Sequence, residues 1–310
     1  MPVPRLFSEL YNLILHFAVS NGRERLHLRW TCKLFSQLLT PPVSWTIFPS
    51  PPHQKQYKTL RSLLNRILQL STSPSCSSLP PPTLLLLGPG TFHEEDYVII
   101  ASSIEIVGQS REGTIVHGGF LLRGKRGKKG TEGAAAAAAA IRLCCLTVMS
   151  SSEHGIKALG SCSTFMLHDV HIDQCAGSGV YVGRDVVGSC VNVIVSRCVQ
   201  NGMYVDAGGR LTLEGGETSV HGNCRELEDG GTLYDLVEEN EWNLHFFGVK
   251  VSCESSRLFL VAPLSLDGCS RENTGGGDWG GEGRIVVVNG AEEETVIVYS
   301  GEEEEEEEEV

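Results

Sequence analysis

Apolar and polar positions divide the 310-residue chain into zones of different period. In residues 1–45, Leu6, Leu10, Leu13, Ile14 and Phe17 recur mostly at three- and four-residue steps, one stripe of an amphipathic helix. After the polar stretch "SNGRER", Leu26, Leu28, Cys32, Phe35, Leu38 and Leu39 form a second apolar set, which Pro41 and Pro42 close. Residues 46–82 open and end in Pro and Ser clusters and read as a linker. Within it, Leu60, Leu63, Leu64, Ile67 and Leu68 predict a short amphipathic helix over 58–70 that needs an apolar surface to cover. From 83 to 300 the period changes. Short apolar runs such as "YVII", "IEIVG", "TIVHGG" and "FLLRG" alternate with Gly, Asn and Ser, the pattern of short strands joined by tight turns.

Within that zone the chain repeats itself. Gly155, Gly179 and Gly202 stand 24 and 23 residues apart. Val148, Ile172 and Val195 lie seven residues before these glycines, and Leu146, Val170 and Val193 lie nine before. Four before stand Ser151, Cys175 and Cys198, and the match continues loosely to Thr218, Val220 and Asn223. A fixed period in the low twenties predicts a solenoid. The Leu-x-x-Leu-x-Leu rung of a leucine-rich repeat is absent. Alternating β-branched residues and Gly corners predict instead a parallel β-helix, with about three short strands per coil and coils stacked roughly 4.8 Å apart. Val, Ile and Leu then form apolar columns, Cys175 packs on Cys198 at a corner, and the glycines supply the positive φ a tight corner needs.

Composition changes this picture little. Of the net charge of −13, eight negatives come from the Glu run at 302–309, so the remainder is close to balanced. That run marks 301–310 as a solvated acidic tail. No clustered basic face suggests nucleic acid as a partner. "RGKRGKKGTEG" and the seven alanines after it form a basic, low-complexity insertion at 123–140. Eleven cysteines, an odd number with no CxxC pair, predict buried thiols in a reducing compartment. As strand neighbours, Cys144 and Cys145 should point to opposite faces. With no secretory leader pattern and no run of 18 apolar residues, the expected location is cytoplasm or nucleus, neither secreted nor in a membrane.

The opening of the repeat zone also resembles a family. Pro89, Gly90, Thr91, Phe92 and Glu94, then Ile104, Glu105, Ile106 and Gly108, then Thr114, Ile115 and Gly118 look like the first coils of right-handed β-helix proteins of the pectin-lyase-like superfamily. The helix at 58–70 falls where that family places a cap over its first coil. Residues 1–45 are similar to an F-box, through Leu6, Glu9, Leu10, Ile14, Leu15, Leu26, Leu28, Arg29, Cys32, Lys33, Phe35, Leu38, Leu39 and Trp45. The expected fold is therefore all-β, a right-handed parallel β-helix of ~23-residue coils over 83–300, preceded by a small α-helical F-box-like segment and a capping helix. The F-box resemblance implies that Leu6, Leu10, Ile14, Leu28 and Phe35 dock the adaptor subunit of a cullin-type ubiquitin ligase, leaving the solenoid to hold a substrate protein.

An enzyme on such a fold would work from an outer face. If Val170 and Ile172 point in, Asp169, His171 and Asp173 point out, above Asn192, Ile194 and Ser196 and then Glu217, Ser219 and His221. Asp169, Asp173 and Glu217 are the candidate acid–base carboxylates, and His171 the candidate imidazole. Neither Lys nor Arg occupies those columns, and Ile194 interrupts them. The favoured expectation is thus a non-enzymatic interaction protein without metal or cofactor; the rival is a carbohydrate-binding or carbohydrate-active β-helix with a glycan as partner.

Overall fold

The structure, a computed structural model, describes residues 45–48, 58–72, 83–123, 140–160, 164–224, 246–274, 276–290 and 292–297. Strand β1 (Trp45–Phe48) and helix α1 (Leu60–Thr72) precede a series of short units. The first two units are β2 (Leu84–Leu87), β3 (Gly90–His93) and β4 (Val98–Ile100), then β5 (Ile104–Val107), β6 (Thr114–His117) and β7 (Phe120–Arg123). Two long strands follow, β8 (Ala140–Met149) and β10 (Thr164–Asp173), each with a short companion, β9 (Ile156–Leu159) and β11 (Val180–Val182). Next come β12 (Val187–Val191), β13 (Ile194–Ser196) and β14 (Met203–Val205), then β15 (Arg210–Glu214), β16 (Ser219–His221) and β17 (Val249–Val251). The last elements are β18 (Arg257–Val261), helix α2 (Leu266–Cys269), β19 (Ser270–Arg271), β20 (Trp279–Gly280), β21 (Arg284–Asn289) and β22 (Glu292–Ile297).

The described part is mostly β, and every strand pair but one is parallel; only β21 and β22 run antiparallel. Each unit sends one strand to each of three ladders. The first joins β1, β2, β5, β8, β10, β12, β15, β18 and β21; the second joins β3, β6, the later halves of β8 and β10, β13, β16 and β19. The third is a separate seven-stranded sheet, β4, β7, β9, β11, β14, β17 and β20. Register follows the repeat: Val180 pairs with Ile156 on one side and Met203 on the other, and Ile172 with Val148 and Val195. This arrangement of parallel sheets is compatible with a parallel β-helix-like fold.

The expected columns are filled as the register requires. Leu146, Val170 and Val193, and Val148, Ile172, Val195 and Val220, are fully buried in one continuous apolar core. Cys175 and Cys198 are buried in the same core, and no disulfide joins the described cysteines. Helix α1 buries Leu60, Leu63, Leu64 and Ile67. Its first N–H groups are satisfied by Glu94, whose carboxylate accepts from the amides of Leu60 (2.6 Å) and Arg61 (3.3 Å). Burial nevertheless pushes the Glu94 pKa up.

Three expectations need correction. Trp45–Phe48, at the junction of the supposed F-box and linker, is a sheet strand paired in parallel with Leu84–Leu87. Gly155, Gly179 and Gly202 do not supply positive φ. Instead they leave room for the neighbouring unit: a Cβ on Gly179 would lie 2.3 Å from Val195 Cγ1, and one on Gly202 2.3 Å from Val220 Cγ1. The left-handed corners are taken by other residues, Cys145, Asp169 and Asn192 at one bend and Ser150, Gln174 and Arg197 at the next, with φ between 53° and 57°. For the same reason Cys144 and Cys145 do not follow strand alternation. Cys144 packs on a small outer cluster with Leu84, Leu86 and Val107, and Cys145 is buried outside the main core. The F-box-like helices and the residues Leu6, Leu10, Ile14, Leu28 and Phe35 lie outside the described residues, as do the acidic tail and most of the basic insertion. Among the described residues, no helix is long and apolar enough to cross a membrane.

Candidate functional site

The polar face expected from the sequence lies on the second ladder. His171 pairs with Ile194, which pairs with Ser219; Asp173 pairs with Ser196, which pairs with His221. Asp169 sits at the left-handed bend that feeds this ladder. Glu217 lies in the connection between β15 and β16.

These groups fall into two separate clusters, each organised by an arginine. Arg111, between β5 and β6, places Nη2 3.4 Å from Asp169 Oδ1 and Nη1 3.0 Å from Glu217 Oε2. The same Nη2 donates to the carbonyl of Asn192 at 2.6 Å. Arg197, at the next bend, grips Asp173 with both arms of its fork: Nε donates to Oδ1 at 2.8 Å and Nη2 to Oδ2. Asp173 is only 3% exposed, and Ser196 donates its hydroxyl to Oδ1 at 2.8 Å. His171 Nε2 lies 3.0 Å from Ser196 Oγ. Since the serine proton goes to Asp173, the imidazole is the donor to Oγ, which fixes the Nε2–H tautomer. Burial pushes the His171 pKa down, keeping the ring neutral. His221 Nδ1 is buried beside them without a hydrogen-bond partner among the described residues.

Ser, His and Asp do meet here, but in the wrong order for a nucleophile. A hydrolytic triad needs the imidazole between serine and carboxylate, so that it takes the serine proton. Here the serine stands between the two, and it is buried. The carboxylates are likewise engaged with guanidinium groups rather than poised as an acid–base pair. Arg111 and Arg197 were missed from sequence because each reaches in from a bend, outside the columns of the ladder. The nearest lysine along the chain, Lys157, belongs to the third ladder.

That third ladder carries a second polar row on its outer face. Lys157, Tyr181, Tyr204 and Lys250 stand side by side on β9, β11, β14 and β17. All four are half-buried. The tyrosine rings meet edge-on at 5.3 Å, and Lys250 Nζ lies 5.8 Å from the Tyr204 ring. Tyr181 donates to Asp206 Oδ2 at 3.1 Å, and Ser252 holds the other oxygen at 2.5 Å. Burial, with Asp206 adding to it, pushes the Tyr181 phenol up to about 12. Burial pushes the Lys250 amine down. His154 stacks on Tyr181 at 5.1 Å, and Lys157 pairs with Glu153 at 3.1 Å.

Comparison with protein-family models, with curated proteins and with solved structures finds no match for this chain.

Proposed function

We propose that residues 83–300 form a right-handed parallel β-helix that works as a non-catalytic protein-interaction module. In this reading the chain is the substrate-recognition subunit of a cullin-type ubiquitin ligase. Residues 1–45 dock the adaptor, and the third ladder receives the substrate protein.

The observation that carries the reading is the Lys157–Tyr181–Tyr204–Lys250 row. Three steps between adjacent parallel strands space these side chains over about 14 Å. Tyrosine with long cationic stems offers rigid apolar area and a polar tip at little entropic cost, the chemistry of interface anchors. The backbone beneath is held by ladders on both sides, so the row is organised before a partner arrives. The engaged state of Asp169, Asp173 and Glu217 supports the non-catalytic half of the proposal. The adaptor half rests on the F-box resemblance of the first 45 residues.

Affinity purification of the full chain, followed by mass spectrometry, tests both halves. Deleting residues 1–45 should remove the adaptor and leave the substrate bound. The double variant Tyr181→Ala with Tyr204→Ala should do the reverse. Adaptor retained by the deleted chain would sink the ligase reading. A glycan bound on an array and lost in the tyrosine variant would replace the protein partner with a carbohydrate.

A further inference from the structure

We propose a binding site for a divalent, zinc-like metal ion at the first bend, made by Cys145, His168 and Asp169. The three residues come from adjacent strands of the stack. Cys145 sits at the bend of β8; His168 and Asp169 sit at the equivalent bend of β10. One ligand atom from each, the Cys Sγ, a ring nitrogen of the His and a carboxylate oxygen, lies within 4.8 Å of the others. Asp169 Oδ2 is 3.5 Å from His168 Nδ1 and 3.9 Å from Cys145 Sγ.

These separations suit the ion. With bonds near 2.3 Å to sulfur and near 2.0 Å to nitrogen and oxygen, tetrahedral donors stand about 3.3–3.6 Å apart. Closing the set requires shifts of about 1 Å, which rotation of the 44%-exposed His168 side chain can supply. Cys145 is buried but lies outside the main apolar core, against Asp169 rather than among the Val and Leu columns. The two carboxylate oxygens are already divided between tasks. Oδ1 faces Arg111, and Oδ2 faces the sulfur and the imidazole. Arg111 has Glu217 and the Asn192 carbonyl as further partners, so its charge stays compensated when the ion takes Oδ2.

A thiolate, an imidazole and a carboxylate are the donor set of zinc and of its spectroscopic substitute cobalt, rather than of calcium or magnesium, which prefer oxygen throughout. Three protein ligands leave a fourth position for water or for a donor from a partner. The bound ion ties two neighbouring units together at a bend where backbone φ is left-handed. Sequence spacing hides the set, since its ligands are separated by one repeat period, not by the short intervals of a zinc finger.

Titration of the metal-free full chain with cobalt(II) tests the site. The expected result is one equivalent bound with a thiolate-to-cobalt charge-transfer band and the intense visible bands of four-coordination, displaced by zinc. Carboxylates of the acidic tail give no thiolate band, so they do not imitate this signal. The band should vanish in Cys145→Ser and persist in Cys253→Ser. Affinity should fall at least ~100-fold in His168→Asn, a substitution at a 44%-exposed side chain outside the apolar core. Absence of the band in the wild-type chain, its survival in Cys145→Ser, or unchanged affinity in His168→Asn would each overturn the proposal. Circular dichroism of Cys145→Ser identifies an unfolded variant, in which case the His168→Asn affinity decides.

Discussion

Replacing His154 with Phe should remove part of the molecule's sensitivity to acid. His154 Nδ1 accepts a hydrogen bond from the amide of Ser178 at 3.0 Å, a bond that exists only while this nitrogen is unprotonated. Burial, helped by Lys157, pushes the pKa down to about 4, against an ordinary value of 6.5. The fold therefore prefers the neutral ring. Between pH 6.5 and about 4 the unfolded chain takes up a proton that the folded chain refuses. The stability contributed by His154 is complete above pH 6.5 and is lost as pH falls through that window. The shift sets a ceiling of about 3 kcal/mol; the ring is partly exposed, and solvent screening reduces this to about 1–2 kcal/mol. In the His154→Phe variant the stacking on Tyr181 survives, but neither the proton site nor the acceptor does. Urea unfolding from pH 7.5 to 4.5 should show the wild type losing about 1–2 kcal/mol more than His154→Phe. At pH 7.5 the variant should be the weaker by about 1–3 kcal/mol, since the Ser178 N–H is left unpaired. Desolvation also lowers the pKa of His117 and His171, so the comparison rests on the difference between the two proteins. Parallel pH profiles would refute the assignment of this acid sensitivity to His154.

Two further perturbations test the packing and the charge clusters. Gly179→Ala should cost about 2–3 kcal/mol or misfold the chain, because the new methyl meets Val195 Cγ1 at 2.3 Å and the Gly202 carbonyl at 2.7 Å. Gly216→Ala, with open space around the added Cβ, should unfold at the wild-type urea midpoint; equal loss in both would refute the close-approach explanation. Asp173→Ala should cost about 2–4 kcal/mol in the same assay, since it strips Ser196 and Arg197 of a buried acceptor. Asp96→Ala, which breaks the exposed pair with Arg61, should cost under ~0.5 kcal/mol, and similar losses in the two would refute the structural role given to Asp173.

The parts of this molecule that were legible in its sequence are those governed by distance along the chain. The 23- and 24-residue steps that align Gly155, Gly179 and Gly202 are the offsets that pair Ile156, Val180 and Met203, so the core columns follow from counting. The covering helix was legible because Leu60, Leu63, Leu64 and Ile67 keep a helical period whatever they cover. The bends were not. Alternation of faces assumes extended backbone, and a single left-handed residue at Cys145, Asp169 or Asn192 resets it.

The same bends explain why the candidate site was legible only in part. Asp169, His171, Asp173 and Glu217 do surround one outer region, but what they can do is set by groups that enter at the bends. Arg111 stands 58 residues before its partner Asp169, and Arg197 24 residues after Asp173. Arg111 reaches past the intervening β8 unit and Arg197 spans to the adjacent one, so no column drawn along a ladder contains them. A stack of parallel strands makes apolar columns predictable, since each inward position sees only its own kind above and below. At its bends it brings side chains of different columns together, and there chemistry depends on the φ of a few residues. His168 shows the consequence. Strict alternation would set His168 against Asp169, yet the left-handed Asp169 lets the imidazole and its own carboxylate meet at 3.5 Å, beside the sulfur of the previous unit. The bends, more than the flat faces, are therefore where this architecture gathers unlike donors.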